Sequence, residues 1–164
     1  MHVKGFLHKI LSSVTIHQKR LSTLSLSVEA VIKSKKLSLT DLARSLSLPI
    51  KERSAIKRID RLLGNSKLHA QRMEIYKVCI NQILGDKKSP AIIVDWSQIP
   101  NTLYYVLRAA FVVQGRALTL YEEVHPESLL GNTRVQSEFL FNLSKLLPVD
   151  IKPIILTDAG FYNE

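Results

Sequence analysis

The first half of the chain repeats apolar residues at intervals of three and four, the spacing that places them on one face of a helix. Ser38 or Thr40 can cap a helix that Pro49 ends, and Gly64-Asn65 is a typical helix stop. Residues 1–88 are therefore predicted to be helical. The segments with this pattern are LSTLSLSVEAVIKSKK (21–36), SLTDLARSLSLP (38–49), KERSAIKRIDRLLGN (51–65) and KLHAQRMEIYKVCINQIL (67–84).

The second half changes to short extended runs. AIIVDW is predicted as a buried strand, and LYYVLRAAFVV and RALTLYEEV form a hairpin that turns at Gln114-Gly115. NTRVQSEFLFNLSKLLP is predicted as an amphipathic helix, and IKPIILTD as a strand parallel to the first. The order strand, hairpin, helix, strand is the opening half of a ribonuclease H-like fold, an α/β class with a mixed sheet.

The periodicity also predicts which side chains face inward. Each helix contributes one apolar stripe to a core. The predicted core positions are Leu21, Leu24, Val28, Val31, Ile32, Leu39, Leu42, Ala43, Leu46, Ile56, Ile59, Leu62, Leu63, Val135, Phe139, Leu143, Leu146 and Leu147.

Charge divides the chain at the polar stretch GDKKSP (85–90). Eighteen of the 23 Lys and Arg residues and six of the 14 acidic residues lie in residues 1–90, giving a net charge of +12 there and −3 in the remainder. We therefore expect two regions, a basic region over 1–88 and a sheet domain over 89–164. A basic region favours a polyanionic partner, nucleic acid being the simplest, although a cationic surface can also serve solubility alone.

The cysteine content and the distribution of apolar residues indicate the cellular compartment. The lone Cys79 excludes an intramolecular disulfide and fits a reducing cytosol. The N-terminal residues do not resemble a signal peptide, and no apolar run is long enough to span a bilayer. We expect a cytoplasmic protein with no membrane partner.

The third helical segment carries a basic stripe. Arg53, Lys57 and Arg61 recur every four residues, and Arg58 lies beside them. Two successive short helices, the second basic, are typical of helix-turn-helix DNA readers, so these four residues are predicted to contact the phosphates of double-stranded DNA. The alternative is an ordinary solvent-exposed helix face.

Two aspartates follow apolar runs, Asp95 in AIIVDW and Asp158 in PIILTD. In the predicted topology their strands lie side by side, so the two carboxylates meet. Neighbouring carboxylates repel unless a cation lies between them, and oxygen ligands favour Mg²⁺ or Mn²⁺. The pair is thus predicted to be a catalytic metal site for two-metal phosphoryl transfer. The alternative is that each aspartate only forms a turn or caps a helix.

Several motifs in this order, IKRIDRLLGN, VDWSQI, LYEEVHP, FLFNLSKLLP and LTDAGF, resemble bacterial insertion-sequence transposases of the DDE type. The likeness runs from about Leu21 to Phe161 and is greatest to the cut-and-paste group that contains the transposon-ten transposase. It implies a helical DNA-binding region followed by a ribonuclease H-like domain, with Asp95 and Asp158 as magnesium-binding catalytic residues. It also implies binding of transposon inverted repeats and target DNA, DNA cleavage, strand transfer, self-association on DNA and a location at the bacterial nucleoid.

One element of the family pattern is absent. The third acid, a glutamate in a Tyr-Arg-Glu-Lys motif, has no counterpart, so the chain is expected to be a fragment or a shortened copy that binds DNA with little or no catalysis. Glu138 is an alternative third acid, whereas Glu122 and Glu123 are predicted to be solvated. Two further questions stay open. The chain could be a remnant that folds poorly, and the aromatic residues of the strands could either stack on bases or pack in the core. Those aromatics are Trp96, Tyr104 and Tyr105.

Overall fold

The structure is a computed structural model that describes residues 3–161. Residues 162–164, the end of the predicted sheet domain, therefore lie outside the described part. Packing divides the chain into two compact units, Met1–Ile75 and Tyr76–Glu164. The boundary expected from charge lies further along, after residue 88.

The helices of the first half form where the apolar periodicity predicts them, with one addition at the N-terminus. Ser38 Oγ accepts a hydrogen bond from the Asp41 N–H at 3.1 Å, which identifies Ser38 as the N-cap of the third helix. Gly64 follows the fourth helix and its N–H donates to the Asp60 carbonyl at 3.0 Å. The helices are α1 (Val3–Ser12), α2 (Gln18–Ser34), α3 (Leu39–Ser45), α4 (Glu52–Leu63), α5 (Ser66–Ala70) and α6 (Arg72–Leu84).

The first unit packs α2, α3 and α4 around a small core. Three of the four residues predicted to face inward from α3 are buried, whereas Leu39 lies at the surface. Two other predicted core residues are wrong: Ile32 is 49% and Leu63 is 57% exposed. Alanines on these helices point into the core, and their small side chains let the helices pack closely. The core consists of Ala30, Leu42, Ala43, Leu46, Ala55 and Ile59.

The segment 67–84 is two helices, not the single helix predicted. The break falls at Gln71, whose side-chain amide donates to the Thr15 carbonyl and accepts from Arg20 Nη1 at 3.1 Å. Gln71 is thus the C-cap of α5, and its side chain also connects this point to a distant part of the unit.

The second unit contains a four-stranded mixed sheet and helix α7 (Thr133–Leu146), which confirms an α/β class. The strand order is β3-β2-β1-β4, with β1–β2 and β2–β3 antiparallel and β1–β4 parallel, as the sequence pattern predicts. Gly115 occupies the hairpin turn with a positive φ of 69°. The strands are β1 (Ala91–Gln98), β2 (Tyr104–Val113), β3 (Arg116–Pro126) and β4 (Ile154–Thr157).

Helix α7 covers one face of this sheet. Phe139 of α7 stacks on Tyr121 of β3 with the ring centroids 5.0 Å apart, and both side chains are buried. Val94 and Ala109 are in register with Tyr121, so they belong to the same covered face, named here the α7 face. No helix described within residues 3–161 is both long and apolar enough to cross a membrane.

Candidate metal centre and nucleic-acid interface

Strand β1 presents Asp95 on the side of the sheet opposite to the α7 face. Ile92 and Val94 are fully buried, while Ile93 and Asp95 alternate with them and are exposed. The side that carries Asp95 is named here the Asp95 face. Within residues 3–161 the Asp95 carboxylate has no hydrogen bond or ion pair, so its oxygens are available to a ligand.

Asp158 comes next to Asp95 because β1 and β4 run parallel. The last pair in register is Val94 with Thr157, and each aspartate follows directly after its member of that pair. Adjacent strands lie about 4.8 Å apart, so the two residues occupy neighbouring positions at one edge of the β1–β4 pair. The fold thus brings together two aspartates that are far apart along the chain.

Asp158 also organises the turn that follows it. Its Oδ1 accepts the Gly160 N–H at 3.1 Å, and its carbonyl accepts the Phe161 N–H at 3.2 Å. The capping role considered for this residue is therefore present, and it engages one of the two carboxylate oxygens. Gln136 of α7 donates to the Gly160 carbonyl at 3.4 Å and connects this turn to the helix.

Arg108 is the neighbour of Asp95 that the sequence analysis missed. The two residues are cross-strand partners in the antiparallel β1–β2 pair. The Arg108 Nε donates to Glu122 Oε2 at 3.0 Å, and Glu122 is its partner on β3. A lone charged residue inside the apolar run LYYVLRAAF is a signal that could have identified this position.

Two carboxylates suit Mg²⁺ or Mn²⁺ at this place. Mg²⁺ is commonly held by one or two carboxylates together with water and substrate phosphates, and Asp95 and Asp158 supply that number of exposed oxygen donors. No group of three or more His, Cys, Asp or Glu residues suited to a metal occurs among the described residues. A metal ion held here by these two carboxylates would therefore take its remaining ligands from water and substrate.

The other acids considered from the sequence lie elsewhere. Glu138 projects from α7 into solvent and pairs with Arg134 at 2.9 Å, so it does not join the aspartates. Glu123 is not solvated as expected: its carboxylate is largely buried on the α7 face and accepts from Asn142 at 3.2 Å and from the Tyr121 hydroxyl. Its other oxygen contacts His125 Nε2 at 3.1 Å. Glu122, predicted to be solvated, is half-buried and pairs with Arg108.

The three aromatic residues occupy different environments. Trp96 alternates with Asp95 and so belongs to the α7 face, where its ring meets His125 edge-on at 5.6 Å. Tyr104 is 51% exposed, whereas Tyr105 is half-buried. Among the three, Tyr104 has the exposure that stacking on a base requires.

The four predicted DNA contacts all lie exposed on α4. None of them forms an ion pair with another residue in the described part of the chain. Arg58 and Arg61 line a cleft of about 1040 Å³ in the first unit, and Arg53 and Lys57 lie outside its lining. The cleft also presents Lys19 and Arg20 from α2, which the sequence analysis did not single out.

We compared the chain with models of protein families, with curated proteins and with solved structures, and none of the three comparisons gave a match. The geometry of the two aspartates and of α4 is therefore the basis for a functional proposal.

Proposed function

We propose that the chain takes part in DNA transposition, as a DDE-type transposase that cleaves and joins DNA with Mg²⁺ or Mn²⁺. The observation that carries this proposal is the parallel pairing of β1 and β4, which sets Asp95 beside Asp158. A carboxylate pair at the carboxyl ends of two parallel strands can serve phosphoryl transfer, in which divalent ions bridge protein and phosphate oxygens.

The strand order supports a ribonuclease H-like fold for the second unit. An antiparallel hairpin extends the sheet on one side of β1, and a helical crossover returns the chain to a parallel strand on the other. The resemblance of VDWSQI and LTDAGF to transposase motifs falls on this β1–β4 edge. Sequence likeness and topology therefore point to the same pair of residues.

Asp95, Asp158 and the Arg108–Glu122 pair would have different roles in the proposed site. Asp95 offers both carboxylate oxygens, while Asp158 keeps one oxygen on the Gly160 N–H and offers the other. Glu122 holds the Arg108 guanidinium by a hydrogen bond, which directs part of its positive charge away from Asp95. A bound divalent ion would activate the attacking oxygen and stabilise the leaving one.

The first unit is proposed to hold double-stranded DNA through α4. Its exposed cations Arg53, Lys57, Arg58 and Arg61 have no acidic partner within the described residues and can neutralise phosphates. The concentration of positive charge in residues 1–90 supports the same role. The DNA bound would be transposon ends and target.

A second candidate function is DNA binding without cleavage. It is favoured by one observation, that the described residues supply two carboxylates at the proposed centre and no third acid. Glu138, the alternative third acid considered from the sequence, is exposed on α7 and paired with Arg134. In this case the chain would recognise transposon ends as an inactive binding protein.

Nicking of a supercoiled plasmid in Mn²⁺ separates the two candidates. If the chain cleaves DNA, the open-circular product accumulates with the wild type and is lost with Asp95→Asn. The matched control is Glu127→Gln, which removes one exposed carboxylate directly after the end of β3 and should leave nicking unchanged. Plasmid binding without nicking by the wild type would support the second candidate, and nicking unaffected by Asp95→Asn would refute the site.

A further inference from the structure

The cleft between α2 and α4 is lined by positively charged side chains. One wall is the first turns of α2, and the other is the exposed side of α4. Its lining includes four cationic side chains and no acidic one. The lining residues are Gln18, Lys19, Arg20, Ser22, Thr23, Ile50, Ser54, Arg58, Arg61, Leu62 and Asn65.

The α2 wall is held in place by hydrogen bonds. Arg20 donates to the Gln71 side chain at 3.1 Å, and Gln71 in turn donates to the Thr15 carbonyl. The Thr23 hydroxyl donates to the Lys19 carbonyl at 3.0 Å. Arg20 is half-buried as a result, whereas Lys19 is exposed and free to reach a ligand.

Within the part of the chain that the structure describes, no acidic side chain pairs with the cations of the cleft. Glu52, the acid at the start of α4, pairs with Arg44 at 3.0 Å, and Asp60 is not part of the lining. Two polar groups that can donate to phosphate oxygens, the Ser54 hydroxyl and the Asn65 side-chain NH₂, lie among the cations. A cleft of this composition attracts an anion with several oxygen acceptors.

The basic surface is too long for a small anion. The exposed cations of α4 extend over nine residues, from Arg53 to Arg61, which is roughly 12 Å along the helix axis. Arg53 lies outside the cleft and Arg61 inside it, so the charge continues from the cleft onto the open face of α4. A phosphodiester backbone, with a charge at every nucleotide, can follow such a surface, and an isolated phosphate cannot.

We propose that the α2–α4 cleft is a binding site for the phosphate backbone of duplex DNA, in which Lys19 and Arg20 of α2 face Arg58 and Arg61 of α4 across one strand. The inference rests on the DNA-binding part of the proposed function and adds α2 as the second half of the contact. Two helices then grip the backbone, and α4 alone is not the whole interface.

Salt-dependent binding of a short fluorescein-labelled duplex, measured by fluorescence anisotropy, tests this site. Lys19→Gln should weaken binding about fivefold at low salt, since a net contact of this kind contributes about 1 kcal/mol. It should also reduce the slope of log K against log salt by about 0.9, the value for one lost phosphate contact. Arg58→Gln should act similarly, and the double variant should lose about twice that slope.

The matched control is Lys36→Gln, an exposed lysine just beyond the far end of α2 and outside the cleft lining, which should leave the slope unchanged. Equal slopes for Lys19→Gln and Lys36→Gln would overturn the cleft site. If Arg53→Gln and Lys57→Gln still weakened binding in that case, the proposed DNA binding would stand without the cleft. No duplex binding by the wild type would overturn the proposed DNA binding and the cleft site together.

Discussion

Asp95 and Arg108 are cross-strand partners on β1 and β2, yet the Arg108 Nε bonds to Glu122 and not to Asp95. Asp95 therefore lies between a second acidic position, Asp158, and a cation that is already engaged. The Arg108 guanidinium is directed toward Glu122 on β3. Within the described residues no cation pairs with Asp95, which is the arrangement that the proposed metal site requires.

Glu122→Gln tests whether this ion pair protects the centre. Loss of the Glu122 charge releases Arg108, which can then pair with Asp95 and repel a divalent ion. We expect Mn²⁺ affinity to fall about twofold to fivefold, the range for a partly exposed charge interaction, as measured by electron paramagnetic resonance of free Mn²⁺. Glu127→Gln serves as the control for the removal of one negative charge, and an unchanged affinity in Glu122→Gln would contradict a protective role.

Ile59→Ala and Leu63→Ala test the core of the first unit. Ile59 is 1% exposed, so its truncation should lower the free energy of unfolding by about 2–5 kcal/mol. Leu63 lies on the same helix but at the surface, and its truncation should change stability by no more than about 0.5 kcal/mol. Urea unfolding followed by circular dichroism measures both, and similar losses in the two variants would show that the helix is rotated from the described orientation.

Gly160→Ala tests the support of Asp158. A Cβ at residue 160 would lie 3.2 Å from Asp158 Oδ1, the oxygen that accepts the Gly160 N–H. The crowded carboxylate must shift, so Mn²⁺ affinity should fall roughly threefold while the fold is retained, because the shift is small. Ser137→Ala, at an exposed position of α7, is the control, and wild-type affinity in Gly160→Ala would mean that the turn does not position Asp158.

Cys79 reports on the packing of α6. Burial raises the pKa of the Cys79 thiol, which lowers the thiolate fraction near neutral pH. Alkylation by iodoacetamide should therefore be slower in the native protein than in urea, and the native rate should rise at a higher pH than that of a small-molecule thiol. Equal rates with and without urea would show that the α6 thiol is not covered.

Much of the sheet could be predicted because its signals are local. The hairpin at Gln114-Gly115, the short apolar runs and the intervening amphipathic helix determine the strand order with few alternatives. The adjacency of Asp95 and Asp158 followed from that order alone. The ion pair of Arg108 and Glu122 did not, because the register of β2 against β3 includes a bulge near Ala109 that shifts which residues face each other.

The helical unit was harder to predict in detail. Apolar periodicity located α2, α3 and α4 but placed Ile32 and Leu63 inside, because it cannot tell how a helix is rotated when small residues such as Ala30 and Ala55 make the closest contacts. The break at Gln71 was missed as well, and the residues to which its side chain bonds, Thr15 and Arg20, lie far away in the sequence. Lys19 and Arg20 escaped notice because a cleft between two helices has no local sequence signature.

The central claim is that Asp95 and Asp158 together bind a divalent cation, and Mn²⁺ titration followed by electron paramagnetic resonance tests it most directly. Asp95→Asn removes one charge, and Asp158→Asn removes the other while keeping an oxygen that can accept the Gly160 N–H. We expect each variant to lose at least about tenfold in Mn²⁺ affinity with its circular dichroism spectrum unchanged. Wild-type affinity in either variant would contradict a shared site.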